Sequence, residues 1–277
     1  MASATARLVD VPRPDLLPAG LALSSNAVIH DALVGLGILA GAALFSAGLR
    51  RRRLAGRPVD DRIWFVLAGV LVGGALGGRL GTWLQHLDLR ENASLVEQWF
   101  YGNRSILSGL FGAYVGALVA KRIVGYRDIT GDLFAPAVAL AMAIGRVGCL
   151  LTELPGTPTS LPWGITLSTA TAHRLGAPAG IPLHPSFAYE IVFHLCALVL
   201  LLRLRERLAG ELLASYLIAY ALFRFGVEFV RGNEVVAAGL TRPQWFLLAC
   251  TPLAGLRLLR RRRPDTAAVP VLEGVRS

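Results

Sequence analysis

The sequence predicts an all-α, polytopic membrane protein with about seven transmembrane helices and a small extracytoplasmic head. Composition is the first observation: 54% of the 277 residues are hydrophobic and only 17% are charged, which is too apolar for a soluble domain of this size. The second is that long apolar segments alternate with short basic clusters. Because no water pairs with backbone amides at membrane depth, each segment is expected to be a helix.

Seven segments are long and apolar enough to be predicted as spans, the third and fifth being short enough to be tilted or partly buried. In chain order they cover residues 27–49, 63–84, 106–124, 132–151, 187–203, 211–230 and 243–259. We expect an extracytoplasmic segment over 1–26, a transmembrane domain over 27–263 with its head at 152–186, and a disordered cytoplasmic tail over 264–277. The first 25 residues lack the continuous apolar stretch of a signal peptide, so no cleavage is expected there.

Basic residues predict the orientation, since lysine and arginine concentrate in cytoplasmic loops. They are concentrated in the connections at 50–62, 121–130 and 203–210 and in the tail after 256, whereas the intervening loops are acidic, proline-rich or nearly neutral. The N-terminus is therefore expected outside and the C-terminus in the cytoplasm. The net charge of +10 is explained by these topology signals, so no nucleic-acid partner is expected.

Three predicted spans carry an arginine near the outer end: Arg79, Arg146 and Arg224. At about 1.5 Å rise per residue, each arginine lies about 8 to 9 Å below the outer end of its span. Glu190 is expected at a similar level on the fifth span, and Glu228 follows Arg224 by one turn. The three guanidinium groups are therefore predicted to share one depth and to converge on one cavity.

A glycine follows each of these arginines two residues later, in RLG, RVG (with Gly148) and RFG. Small residues let helix backbones approach closely, which favours convergence. The structural alternative is that the arginines snorkel or form pairs such as Arg224 with Glu228, with Arg231 adding a third charge. For Arg79 both interpretations stay open. For Arg146 and Arg224 we favour function, because intramembrane charges usually mark a substrate path and guanidinium binds phosphate in a bidentate manner.

The remaining motifs are less specific. Ser105 begins the third segment, and Gly109 lies on its small-residue face, a spacing that usually serves helix packing. His184 precedes a helix entry at Pro185, with Ser186 as a possible cap. A histidine at the start of a helix is more often structural than catalytic.

Metal and nucleophile motifs are missing from the sequence. Cys149, Cys196 and Cys250 lie in separate apolar segments without CxxC spacing, so we interpret them as core thiols. Neither an H-E-x-x-H motif nor a G-x-S-x-G elbow paired with an intramembrane histidine is found. We expect no cofactor and no metal.

Five stretches carry a resemblance to a known family. They are GVLVGGALGGRLG (69–81), RSILSGLFG (104–112), GDLFAPAVALAMAIGRVGC (131–149) with PTSLPWGI (158–165), LHPSFAYE (183–190) and GELLASYLIAYALFRFGVEFVRG (210–232). These stretches follow one another in the family's order, and the chain resembles a divergent member of the bacterial prolipoprotein diacylglyceryl transferases. The resemblance implies an enzyme of the plasma membrane that moves the diacylglyceryl group of phosphatidylglycerol onto the lipobox cysteine of a preprolipoprotein signal peptide and releases glycerol phosphate.

The resemblance also implies roles for particular residues. Arg146 and Arg224 would hold the phosphate, and Glu228 would orient Arg224, as the catalytic set. The residues expected around the substrates and surrounding membrane lipids are Arg79, Ser105, Gly109, Gly148, Glu153, His184, Tyr189, Glu190 and Arg231.

The sequence departs from the family pattern where a proton acceptor is expected. Leu107 takes the place of the histidine in the family's SxHGGLxG stretch, and Cys149 takes that of the asparagine after GRxG. Glu153 aligns only loosely with the glutamate of the family's NGE. The base therefore stays open among Glu153, Glu228, His30, His184 and water.

Two other functions stay open. The missing histidine at position 107 motivates a non-catalytic relative that binds anionic lipids or lipoprotein signal sequences through the arginines. Charged residues in glycine-rich helices also allow an anion or lipid transporter, but the LPW head and the lack of an evident inverted repeat argue against it.

Overall fold

Helices make up most of the computed structural model, which describes residues 25–85 and 105–262. Most of the predicted N-terminal segment, nearly all of the 85–105 loop and the predicted tail lie outside the described residues. The helices are α1 Ser25–Leu54, α2 Ile63–Gln85, α3 Ile106–Val124, α4 Gly131–Thr152, α5 Thr169–Leu175, α6 Ser186–Leu204, α7 Leu212–Arg231 and α8 Arg242–Arg262. The strands are β1 Ile165–Thr166, β2 Pro182–Leu183, β3 Val235–Ala237 and β4 Leu240–Thr241.

The predicted all-α membrane fold is confirmed, and each of the seven predicted spans is a helix. Among the described residues, six helices are long and apolar enough to cross a membrane, namely α1 to α4, α6 and α7. The seventh predicted span corresponds to α8, whose last turns contain several arginines. Helix α1 has 30 residues and is therefore about 45 Å long, so it is longer than a bilayer core of about 30 Å.

Glycines set the closest helix contacts. Helix α2 packs against α3, where a Cβ added to Gly77 would lie 2.6 Å from the carbonyl oxygen of Ser108. Helix α1 packs against α4 in the same way, because a Cβ on Gly37 would lie 2.6 Å from the carbonyl oxygen of Ala141. The small-residue pattern of the third segment is thus a packing surface, and backbones touch along both pairs.

Helix α4 lies at the centre of the arrangement. It packs against α1, α6 and α7, and it is the most buried of the six candidate spans. Helix α7 also contacts α6 and α8. A polar side chain on the C-terminal half of α4 is therefore enclosed by protein rather than exposed to lipid.

The head contains β1, α5 and β2, with Ile165 paired to Leu183 in an antiparallel ladder. It is joined to the spans by a hydrogen bond from the Thr157 N–H to the Val230 carbonyl oxygen (2.9 Å). The expected capping role of Ser186 is wrong. Helix α6 has Pro185 at its N-cap position without a side-chain cap, because the Ser186 hydroxyl donates instead to the Pro155 carbonyl.

A tight hairpin follows α7. Strands β3 and β4 are antiparallel and are joined by Ala238 and Gly239, which both have positive φ angles (50° and 73°), as a two-residue hairpin turn requires. The hairpin brings Thr241, which is 4% exposed, back against the end of α7.

Candidate functional site

A polar stripe lines one face of α7. Tyr216, Tyr220, Arg224 and Glu228 are spaced by four residues, which places them on the same side of a helix, and each is at most 5% exposed. Such a stripe inside an apolar span costs free energy unless each group is paired. The first three of these side chains meet partners on α4 and α6, and Glu228 meets the hairpin after α7.

Glu190 is the carboxylate that three arginines share. Its Oε2 atom lies 2.5 Å from Nη2 of Arg146, and its Oε1 atom lies 2.9 Å from Nη1 of Arg231 and 3.9 Å from Nε of Arg224. Tyr220 donates a hydrogen bond to Oε2 at 3.1 Å. Because Glu190 is fully buried, these contacts replace its hydration. The predicted convergence thus holds for Arg146 and Arg224, which meet at Glu190, whereas the third arginine at Glu190 is Arg231 and not the predicted Arg79.

Arg146 is held from three sides. Its Nη2 atom donates to the Tyr220 hydroxyl (3.1 Å) and its Nη1 atom to Sγ of Cys149 (3.9 Å). The guanidinium carbon lies 5.8 Å from the centre of the Phe187 ring. The side chain is therefore fixed in position before any substrate binds, which is the arrangement that favours electrostatic catalysis.

Glu228 pairs with Arg224 through Oε2 and Nη1, as the i, i+4 spacing predicts. Its second oxygen, Oε1, accepts hydrogen bonds from Thr241 Oγ1 (2.8 Å) and Asn233 Nδ2 (2.5 Å). Gln244 in turn accepts a bond from the Thr241 N–H (2.9 Å). The hairpin after α7 therefore fixes the carboxylate that orients Arg224.

The buried charges of this cluster balance, but some of its guanidinium donors stay unpaired among the described residues. Arg146 and Arg224 are buried with Glu190 and Glu228, and Arg231, whose side chain is 14% exposed, adds a third positive charge. Glu153 reaches Arg231 at 3.7 Å, but its side chain is 44% exposed. Moreover, Nε of Arg146 and Nε of Arg224 are buried without a hydrogen-bond acceptor among the described residues. The site therefore offers buried guanidinium donors to a further acceptor, which suits an anion.

A second polar group adjoins Arg146. Nε2 of His30 lies 3.6 Å from Sγ of Cys149 and 3.7 Å from Oε1 of Glu153. Gly148 allows this approach, since a Cβ there would lie 3.3 Å from the His30 carbonyl oxygen. Three such ligand atoms could hold a metal ion, but the Arg146 guanidinium next to Cys149 disfavours a cation. A histidine with a carboxylate partner is better suited to accept a proton.

His184 and Tyr189 form a third group at the edge of the head. The Tyr189 hydroxyl lies 3.2 Å from Nδ1 of His184 and accepts a hydrogen bond from Nε1 of Trp163 at 2.9 Å. Trp163 belongs to the LPW motif and is 56% exposed. These contacts connect the head to the first turn of α6, directly before Glu190.

Three predicted substrate-binding residues lie on α2 and α3 rather than in the cluster. Ser105 caps α3 by accepting a hydrogen bond from the Ser108 N–H, and a Cβ on Gly109 would lie 3.4 Å from the Gly74 carbonyl oxygen. Arg79 is half-buried on α2, whose main packing partner is α3. Their roles in binding remain predictions.

The glycines that follow the arginines differ in what they contact. A Cβ on Gly81 would collide with the Ser108 side chain, and one on Gly148 would press against α1. Gly226, in contrast, borders open space, since a Cβ added there would meet no other atom within 4 Å. The expectation of a close helix approach is therefore wrong at Gly226, and Arg224 is positioned by ion pairs instead.

Several residues of the cluster are not among the predicted site residues. Tyr220 could have been found, because it stands four residues before Arg224 in a polar stripe. Phe187, whose ring centre lies 4.2 Å from the Arg231 guanidinium, has no such signal, since an aromatic residue is ordinary in an apolar span. Thr241, Asn233 and Gln244 depend on the return of the hairpin, which the spacing of polar residues does not reveal.

Fold and site together define a polytopic membrane protein whose spans enclose a pre-arranged guanidinium cluster. A family model described as prolipoprotein diacylglyceryl transferase matches residues 28–259. The chain is 34% identical over 251 residues to the phosphatidylglycerol–prolipoprotein diacylglyceryl transferase of Bordetella bronchiseptica (83% of this chain, 91% of the relative). It is 33% identical over 244 residues to the protein of the same name from Solidesulfovibrio magneticus (80% and 88%). The chain belongs to the prolipoprotein diacylglyceryl transferase family, and the predicted class of enzyme is confirmed.

Proposed function

We propose that this chain transfers the diacylglyceryl group of phosphatidylglycerol to the thiol of a prolipoprotein's lipobox cysteine and releases glycerol phosphate. The observation that carries the proposal is the convergence of Arg146, Arg224 and Arg231 at Glu190, with Nε of Arg146 and of Arg224 buried and without an acceptor among the described residues. A phosphodiester headgroup supplies the acceptor oxygens that these donors lack. The two relatives named above carry this activity in their names.

The reaction gives the guanidinium groups a catalytic task. The thiolate sulfur forms a bond to the glyceryl carbon while the bond from that carbon to the phosphate oxygen breaks. The charge on the phosphate thereby grows from about −1 in the diester towards −2 in the released monoester. Donors that bind the developing charge more strongly than the starting diester lower the barrier. Arg146 and Arg224 are assigned to this role, and Arg231 supplements them.

Glu190 and Glu228 act as positioning residues in this proposal. They hold the guanidinium groups in place through ion pairs in the absence of lipid. The phosphate then shares the guanidinium N–H groups with them, including the Nε donors of Arg146 and Arg224. Without these carboxylates, three like charges would repel one another in a medium of low dielectric constant.

The thiol proton requires an acceptor, and we assign it to His30 together with Glu153. Glu190 and Glu228 are occupied by arginines, and His184 is bonded to Tyr189 in the head. His30 and Glu153 are partly exposed, at 30% and 44% of their side chains, so an incoming thiol can reach them. His30 contacts Cys149, which in turn contacts Arg146. The two residues therefore lie near the phosphate held by Arg146, where the thiolate attacks the glyceryl carbon.

Orientation follows from the same proposal. The cluster lies near the ends of α4 and α7, opposite the end where basic residues collect in the loops. By the positive-inside rule the basic end faces the cytoplasm. The guanidinium cluster then lies in the outer leaflet of the bacterial plasma membrane, with the N-terminus outside and the C-terminus inside.

Transfer by the reconstituted chain tests the function itself. Proteoliposomes containing phosphatidylglycerol with labelled acyl chains and a lipobox peptide should yield a labelled peptide, and a peptide with serine in place of the lipobox cysteine should not. The chain should also restore growth of a strain depleted of its own transferase. Stable protein that neither labels the peptide nor restores growth would support a non-catalytic lipid-binding relative instead.

A further inference from the structure

A groove lies at the end of the molecule opposite the guanidinium cluster. It has a volume of about 680 Å³ and is formed by the last turns of α1, the first turns of α4 and the end of α6 with the loop that follows. Asp132, which lines it, precedes Arg146 by 14 residues on α4, a distance of about 21 Å along the helix. The groove is therefore separate from the proposed catalytic site.

The rim of the groove is basic. Arg51, Arg52, Arg57 and Arg205 line it, together with the carboxylates Asp132 and Glu206. Asp132 is occupied, because it accepts hydrogen bonds from the N–H groups of Gly210 (2.5 Å) and Leu212 (3.3 Å).

Glu206 offsets only part of the remaining charge. It lies 3.9 Å from Arg205, and its side chain is 88% exposed. Among the described residues, Arg51, Arg52 and Arg57 make no ion pair within 4 Å. The rim therefore carries uncompensated positive charge.

Much of the remaining lining of the groove is apolar. It includes Leu44 of α1, Leu133 and Pro136 of α4, and Leu201 and Leu202 of α6. A soluble phosphate would use only the rim. A phospholipid uses both parts, because its headgroup meets the arginines while an acyl chain covers the leucines. A groove of this size lies in the range of ligand sites, about 300 to 1,000 Å³.

We propose that this groove is a second lipid site, which binds an anionic phospholipid of the leaflet at the basic end. Its phosphate contacts Arg51, Arg52 and Arg57, and one acyl chain lies along the leucines of α1, α4 and α6. The bound lipid ties the end of α1 to α4 and α6. It is not a substrate, because it lies about 21 Å along α4 from Arg146.

Lipid retention in nanodiscs tests this proposal. The purified chain is placed in phosphatidylcholine nanodiscs that contain phosphatidylserine, and the lipids that remain bound after release are counted by native mass spectrometry. The double variant Arg51→Gln/Arg57→Gln should retain about tenfold less phosphatidylserine than the wild type. The matched control, Arg50→Gln/Arg203→Gln, removes the same charge from the ends of α1 and α6 at positions outside the groove lining, and this variant should retain phosphatidylserine.

A second pair of variants tests the groove without changing the charge. Ala47 is an exposed lining residue of α1, so Ala47→Trp should fill the groove and lower retention about as strongly as the arginine variant. Ala43→Trp, one turn away and outside the lining, should not. Equal retention by the groove variants and their controls would overturn the proposal, as would equal retention of phosphatidylcholine and phosphatidylserine.

Discussion

The stability of the buried ion-pair network depends on single residues, and Glu190 is the clearest example. It neutralises part of the charge of three arginines at a position where it is fully buried. Removing one partner from a buried ion-pair network usually costs several kcal/mol, because the charges that remain are desolvated and unpaired. The stability of α4, α6 and α7 relative to one another should therefore depend on this carboxylate.

Glu190→Gln keeps the shape of the side chain and removes its charge. We expect the free energy of unfolding in neutral detergent to fall by about 3 kcal/mol or more, measured by thermal unfolding. Glu206→Gln, at an 88% exposed side chain, is the control and should change little. Added phosphatidylglycerol should stabilise Glu190→Gln more than the wild type, and an equal effect on both would contradict anion binding in the cluster.

His30→Gln tests the assigned proton acceptor through the pH dependence of transfer. Without the base, the rate should follow the thiolate fraction of the peptide, which rises about tenfold per pH unit below the ordinary thiol pKa of about 8.5. The variant should therefore be about 100-fold slower than the wild type at pH 6.5 and approach it near pH 8.5. His173→Gln, at an exposed position of the head, is the control. A ratio of rates that stays constant over this range would exclude His30 as the base.

The depth of the charged residues could be predicted from the sequence, but their partners could only partly be predicted. Counting residues along the spans placed Arg146, Arg224 and Glu190 at one level, and they do meet. The contact between His30 and Cys149 was not predicted, because it depends on the close crossing of α1 and α4 at Gly148. Sequence spacing fixes depth along a helix, whereas rotation and crossing are set by packing.

At the level of helix pairs, α2 and α3 show very close backbone contacts. A Cβ on Gly112 would collide with the Gly73 carbonyl oxygen and lie 2.8 Å from Cα of Gly77. Neither backbone can yield without separating the helices. The predicted spans were correct here because long apolar segments have few alternatives in a bilayer. The hairpin β3–β4 was not predicted, since its short strands carry no periodic signal.

Gly112→Ala should destabilise the chain by about 1 to 3 kcal/mol through overpacking. Gly35→Ala is the matched control, because a Cβ added to that α1 glycine would meet no other atom within 4 Å, and alanine favours the helix. The midpoint of thermal unfolding in detergent compares the two. If both variants unfold at the wild-type midpoint, the close contact of α2 and α3 is incorrect.

The whole molecule has two chemically different ends. One end carries the guanidinium cluster with the head, and the other carries the basic loops and the lipid groove. Since lipid phosphate is available in both leaflets, the proposed function requires a fixed orientation, with the cluster facing the leaflet in which prolipoproteins present their cysteine.

Cysteine labelling measures this orientation. Ala179→Cys lies on the exposed surface of the head and Pro58→Cys in the basic loop after α1. In intact spheroplasts a membrane-impermeant maleimide should label the first and spare the second, and permeabilised cells should label both. The native thiols are first replaced by serine or alanine, and the opposite labelling pattern would reverse the proposed topology.

The central claim is that the guanidinium cluster stabilises the charge that develops on the phosphate during transfer. The transfer rate of reconstituted Arg146→Ala, compared with that of Arg203→Ala at the exposed end of α6, tests it most directly. We expect Arg146→Ala to lower the rate by about 10² to 10³-fold, the cost of losing a donor to a developing charge, while Arg203→Ala stays within about twofold of the wild type. Equal rates for these two variants, both folded and inserted, would contradict the account.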